Sequence, residues 1–215
     1  MLIACCYLLV HTNILVKSNL HRVLMFSKKK NFIVLIAIVI ILLIVLLAKI
    51  FNAKTLILRQ IYPKKYSEYV EKYATEYNVD PLLIFSIIKA ESNFEKDAQS
   101  SSGAQGLMQL MEATATEIAN KIDETLVEQK SLLEPEKNIM IGTKYYSELL
   151  QMYDGNMLLA LTAYNAGIGN VNSWIDSGII KKDGSDIENI PYKETNMYVR
   201  KIINNYKMYQ KIYSF

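Results

Sequence analysis

One glutamate in this sequence stands where a carboxyl can do acid chemistry. Ile84, Ile87 and Ile88 precede Glu91 by seven, four and three positions, and those spacings share one face of a helix. A carboxyl at the end of an apolar stripe ionises reluctantly, so its pKa rises. A raised pKa suits a general acid working near neutral pH. The same pattern also fits a helix that stops at residue 91 and lets the carboxylate reach solvent. Composition narrows the rest of the chemistry. Both cysteines, Cys5 and Cys6, and both histidines, His11 and His21, sit near the N-terminus. Residues 55–215 contain neither type, which excludes disulfides, Ser/His and Cys/His nucleophilic triads and nearly all zinc or transition-metal sites there. No metal and no cofactor are expected. Catalysis falls to carboxylates, Tyr, Lys, Ser or Thr.

Other segments group with Glu91-Ser92-Asn93-Phe94. Gly103-Ala-Gln-Gly106-Leu-Met-Gln-Leu-Met111 follows, with Thr114-Ala115 after it. Ala163-Tyr164-Asn165-Ala166-Gly167-Ile-Gly169 comes later, then Ile190-Pro-Tyr-Lys-Glu194-Thr-Asn-Met-Tyr198-Val199. In this order and over about residues 66–213, the four motifs resemble the catalytic domain of the soluble lytic transglycosylases, members of the lysozyme-like superfamily. The resemblance implies peptidoglycan glycan strands as substrate, cut between N-acetylmuramic acid and N-acetylglucosamine, with Glu91 as the catalytic acid. It implies that Glu91 then acts as base on the muramoyl C6 hydroxyl as a 1,6-anhydro ring closes, so no second carboxylate is required. It places Gln109 and Met111 along the sugar groove. Tyr164 falls beside the acid, its hydroxyl orienting Glu91 or the substrate. Ser92 and Asn165 join the substrate site chiefly by shaping it, through a helix-end hydrogen bond and a braced turn, and Glu194 contacts sugar or supports the site. Tyr198 fits core and groove equally. Glu112 and Ile168 stand where the family commonly has proline, and Asn196 where it has arginine. A hydrolytic muramidase of the same bond and a catalytically idle wall-binding scaffold are the alternative readings.

These residues need a helical scaffold, and the sequence supplies one. Asp80-Pro81 reads as an N-cap followed by proline at the first helical position, starting a helix from Leu82 to about Asn93. Helical spacing also marks Ser67–Tyr77, Thr114–Lys121, Pro135–Met152, Asn156–Asn165, Val171–Ile175 and Thr195–Tyr213. Gly167 reads as a C-cap. Ser100–Gly106 is a small-residue loop, Glu95 and Asp97 are solvated loop acids, and only Gly178–Asp186 suggests a turn or hairpin. Most of the fifteen tyrosines fall at helical spacing, as half-buried core residues do. The fold class is mostly α: a lysozyme-like helical domain preceded by one N-terminal transmembrane helix.

The charge is divided along the chain. Residues 1–54 carry seven Lys or Arg and no Asp or Glu, whereas residues 55–215 hold 17 basic and all 21 acidic residues, a net of −4. An acidic body offers no electrostatic case for nucleic acid. Phe32–Ala48 is seventeen residues without a polar group, close to the length that crosses a bilayer. It is longer than a signal-peptide core and lacks a small-x-small cleavage site after it. An uncleaved anchor is therefore expected over 31–50, with residues 1–30 cytoplasmic on the strength of Lys28-Lys29-Lys30. Met25 reads as the translational start, leaving 1–24 as an upstream extension. Residues 51–65 are expected as a linker and 66–213 as the catalytic domain. The expected location is the cytoplasmic membrane, single-pass, with the body outside. Peptidoglycan is the expected partner, with cell-wall or secretion machinery open.

Overall fold

The computed structural model describes residue 36 and residues 39–50, 53–122 and 129–213. The expectations for 1–30, including the start at Met25, lie outside the described residues. The chain divides into two compact units, Met1–Ile57 and Leu58–Phe215. Helix α1, Val39–Ile61, is 23 residues of low charge, long and apolar enough to cross a membrane by length and composition. The expected anchor at 31–50 overlaps it from residue 39, but residues 53–61, expected as linker, are helical.

The second unit is built from helices α2 (Ser67–Glu76), α3 (Pro81–Glu91), α4 (Glu112–Lys121), α5 (Pro135–Met152), α6 (Met157–Ala166), α7 (Ile168–Asp176) and α8 (Lys193–Tyr213), with 3-10 turns at Gln129–Leu133 and Ile187–Asn189. Strand pairing among the described residues is limited to isolated bridges linking Gln105 to Gln99 and to Leu110. Gly178–Asp186 forms turns rather than a hairpin. The buried Asp186 carboxylate there accepts the Lys181 amide at 2.9 Å and the Asn189 side chain at 3.1 Å.

Local chemistry sets the ends of the helices that matter for the site. The Asp80 carboxylate accepts the Leu82 amide at 2.7 Å, with Pro81 next to it, so α3 starts as its sequence dictates. Asn156 caps α6 by accepting the Leu158 and Leu159 amides. Gly167, at φ 86°, ends α6 and opens α7 in one residue, a backbone state that glycine enters without a Cβ clash. Helix α3 is the core helix: Leu83, Ile84, Phe85, Ile87 and Ile88 are all buried. Its largest interface is with α8. Burying five such side chains removes most of their surface from water, at about 1.5–3 kcal/mol each. That burial fixes where the last residue of α3 points.

The entry to this unit is also fixed. The Lys89 ammonium donates to the Ile61 carbonyl at 2.6 Å and lies 4.9 Å from the Tyr62 ring centre. Tyr213 donates to the Tyr62 carbonyl at 2.7 Å and Tyr209 to the Pro63 carbonyl at 2.8 Å. Residues 61–63 are thus clasped by α3 and α8.

Candidate active site

Glu91 is the last residue of α3, and Ser92 is its C-cap. The chain then turns sharply: Asn93 and Phe94 are both left-handed, at φ 50° and 67°. Gln109, opposite in the loop before α4, is a third non-glycine residue with positive φ, at 48°. Such backbone costs on the order of 1–3 kcal/mol per residue and persists only where surrounding contacts impose it. Buried Phe94 packs on Phe85, with ring centres 6.4 Å apart.

The Glu91 carboxyl is mostly enclosed. Tyr198, in the second turn of α8, donates its hydroxyl to Glu91 Oε1 at 2.7 Å. Three residues on, Lys201 donates to the Ala90 carbonyl at 2.6 Å and so satisfies one acceptor at the C-terminal end of α3. Burial raises the Glu91 carboxyl from 4.5 to about 7, against the smaller downward pulls of the Tyr198 hydrogen bond and the Lys201 ammonium. The phenols of Tyr164 and Tyr198 are held well above their ordinary value, first by burial and then by the field of Glu91. The site therefore offers one carboxyl that holds a proton near neutral pH, with one hydrogen-bond donor fixing one of its oxygens.

The loop facing this acid is pinned from below. Asn138 is fully buried on α5. Its Oδ1 accepts the Met108 amide at 2.8 Å, and its Nδ2 donates to the carbonyls of Gln105 at 3.0 Å and Leu132 at 2.8 Å. Gly106, at φ 77°, has no room for a side chain: a Cβ would collide with Asn138 and with the Leu132 carbonyl. Tyr164 donates to the Met108 carbonyl at 2.8 Å. Ser92 donates to the Leu107 carbonyl at 2.8 Å. Residues 105–108 are thus tied to α3, α5 and α6.

The residues singled out from sequence separate into two groups. Glu91, Ser92, Gln109 and Tyr164 meet around this loop. Ser92 spends its hydroxyl on backbone, at the Ile88 and Leu107 carbonyls. Tyr164 also spends its hydroxyl on backbone, at the Met108 carbonyl, and the phenol that bonds Glu91 is that of Tyr198. Gln109 turns its amide inward, to the carbonyls of Ala98 at 3.0 Å and Gly106 at 2.9 Å. Met111 is exposed at the start of α4. Asn165 and Glu194 sit at the α6–α8 junction. Asn165 Oδ1 accepts the buried Thr195 hydroxyl at 2.7 Å, and Glu194 is exposed in the first turn of α8. Asn196 donates to the Ile187 carbonyl and accepts from Arg200 Nε at 2.8 Å. Three contributors escaped sequence reasoning: Tyr198 as the orienting donor, Asn138 and Lys201. The signal for Asn138 was a lone amide on the apolar side of a long helix, beside Ile139 and Gly142. Among the described residues no group of His, Cys, Asp and Glu is arranged to hold a metal ion.

A helical body of lysozyme-like architecture, centred on one enclosed carboxyl, defines the class of fold to which this chain belongs. The family itself follows from its sequence: the chain is a member of the transglycosylase SLT domain family, whose model matches residues 68–186. A soluble lytic murein transglycosylase of Salmonella typhimurium is 32% identical over 150 residues, covering 68% of this chain and 23% of the relative. A membrane-bound lytic murein transglycosylase C of Edwardsiella ictaluri is 32% identical over 169 residues, covering 69% of this chain and 47% of the relative. Among solved structures, an inactive Glu-to-Gln mutant of the lytic transglycosylase Slt from Pseudomonas aeruginosa superimposes with a TM-score of 0.65 at 34% identity, covering 70% of this chain and 24% of that one. The chain thus spans about a quarter of the length of the soluble relatives it matches.

Proposed function

We propose that this protein is a peptidoglycan lytic transglycosylase, with Glu91 as acid and then base. The observation that carries the reading is the enclosed Glu91 carboxyl, raised to about 7 and held through one oxygen by Tyr198. Protonated Glu91 gives its proton to the oxygen bridging N-acetylmuramic acid and N-acetylglucosamine. The C1–O4 bond breaks as an oxocarbenium-like centre develops at C1. The resulting carboxylate takes the proton from the muramoyl C6 hydroxyl, whose oxygen bonds to C1 and closes the 1,6-anhydro ring. Glu91 ends protonated, ready for the next bond, and the products together contain the atoms of the substrate, with no water added. Positioned acid–base catalysis of this kind contributes roughly 10²–10⁴-fold. The names of the relatives support the activity, and the absence of a second pinned carboxyl near Glu91 among the described residues suits a nucleophile supplied by the substrate.

Gln109 and Met111 line the glycan path, with Glu194 further along it; Ser92, Tyr164 and Asn165 hold the walls of that path in place. Helix α1 anchors the protein in the cytoplasmic membrane as a single pass, with the body on the extracytoplasmic side where its substrate lies. The membrane-bound relative supports this location. The test is digestion of purified peptidoglycan by the full chain in detergent, with mass analysis of the products. Muropeptides ending in 1,6-anhydromuramic acid are expected. Reducing-end muramic acid without anhydro product would make the enzyme a muramidase, and no product from the parent chain would leave only wall binding.

A further inference from the structure

At the opposite end of α6 from Tyr164, the structure contains a half-open cavity of about 380 Å³, within the range of small-ligand sites. Buried Leu159 and half-buried Ile175 give it an aliphatic floor, and the exposed side chains of Met152, Asp154, Asp176 and Lys182 stand around it. Among the described residues, none of these three charged side chains makes an ion pair or a side-chain hydrogen bond. The wall itself is firm: Tyr153 is buried, and its hydroxyl donates to Asn172 Oδ1 at 3.1 Å. Two carboxylates and one ammonium thus surround an apolar floor without neutralising one another. A neutral sugar would leave these charges unused, and a polyanion would meet two like charges. A short aliphatic chain ending in an ammonium, on a body that also carries a carboxylate, matches all three and the floor.

We propose that this cavity is a second binding site, for a short peptide containing a diamino acid with a free side-chain ammonium and a nearby carboxylate. The peptide stems of peptidoglycan have this chemistry; that choice of source, though not the site, rests on the function proposed above. Leu159 and Tyr164 are five residues apart on α6, about 8 Å along its axis, so the cavity lies beside the acid's scaffold but not within its site. The ammonium of the peptide meets Asp154 and Asp176, its methylenes lie on Leu159 and Ile175, and its carboxylate meets Lys182.

The probe is the tripeptide L-Ala-γ-D-Glu-L-Lys, titrated by calorimetry into the full-length Glu91→Gln chain in detergent micelles. Fluorescence of Trp174, the single tryptophan of the chain and a neighbour of Asn172 and Ile175 on α7, gives a second readout. Saturable binding is expected. Acetylating the lysine side chain is expected to weaken it about three- to fivefold, the worth of an exposed charge pair. Asp154→Asn with Asp176→Asn is expected to weaken the parent peptide equally and leave the acetylated one unchanged. Lys182→Gln and amidation of the peptide C-terminus should likewise fail to add. Binding that does not saturate, an acetylated peptide that binds as well as the parent, or variants that bind as the parent does would each overturn the site. The peptide modifications decide the matter even if a variant fails to fold. Glycan stripped of peptides should not compete; competition by it would show a sugar site instead. Because Glu91→Gln is used throughout, peptide binding can succeed while anhydro product is never found, or fail while it is, so the two readings fall separately.

Discussion

Glu91→Gln is expected to stabilise the protein, and to do so only where the native glutamate would ionise. The Glu91 carboxyl moves from 4.5 to about 7 on burial. Below pH 4.5 both folded and unfolded chains hold this proton, and the shift has no effect on stability. Between pH 4.5 and 7 the unfolded chain releases it first, so folding becomes less favourable as pH rises, by up to 1.36 kcal/mol per unit. Above pH 7 the loss is complete and amounts to about 3 kcal/mol. Glutamine escapes that loss, has nearly the same shape, and still offers Tyr198 a carbonyl oxygen. The variant should therefore match the parent near pH 4.5 and exceed it by about 3 kcal/mol at pH 8. For a body of this size that corresponds to a rise in Tm of roughly 6–12 °C. Thermal melts of the full chain in detergent micelles, followed by circular dichroism across this pH range, measure the difference. Coincident melts at every pH, or a variant that melts lower at pH 8, would show that Glu91 is solvated and refute the reasoning on which its chemistry depends. The assay needs no substrate.

Tyr198→Phe removes the donor that favours the carboxylate, so the pKa of Glu91 should climb by roughly one unit, the worth of a hydrogen bond to a charged group. The alkaline limb of the pH–rate profile should move up accordingly, and an unmoved limb would separate Tyr198 from the acid. Lys201→Gln should move that limb in the same direction by less, since a cation is lost near Glu91 while a donor to Ala90 is kept; Lys201→Arg should restore it. Asn138→Ala strips three hydrogen bonds from buried backbone and should cost about 3–4 kcal/mol, read as a lower denaturation midpoint with a matching loss of activity. Gly106→Ala forces a Cβ against Asn138 and the Leu132 carbonyl at positive φ and should destabilise by several kcal/mol. Gly103→Ala, with open space around it at φ 87°, should cost only about 1 kcal/mol.

What could be read in advance depended on whether a residue's role was local. The cap at Asp80-Pro81, the break at Gly167 and the apolar stripe ending in Glu91 are events within one turn of helix, so spacing reveals them. Tyr198 is different: on α8 it shares its helical rhythm with Val199, Ile202 and Tyr209, and nothing in that rhythm distinguishes a phenol aimed at a carboxylate from one in the core. Tyr164 is legible in part: its motif places it by the acid but does not say which acceptor its hydroxyl finds. Asn138 and Lys201 act on backbone carbonyls and amides far away in sequence, partners that have no side-chain signature. That residues 53–61 are helical and 61–63 are bonded to α3 and α8 was hidden, because Pro63 and the lysines beside it read as a boundary.

The clasp on residues 61–63 determines where the body can be cut free of its apolar helix. A chain trimmed to start at Lys65 would take backbone acceptors from Lys89, Tyr209 and Tyr213, three buried or half-buried donors, and leave only Lys89 with another partner, Asn93. The damage would reach α3 only two residues ahead of Glu91. A shortened protein for crystals or assays should therefore keep everything from Leu58 onward, and one that omits this stretch would understate both the stability and the activity of the original.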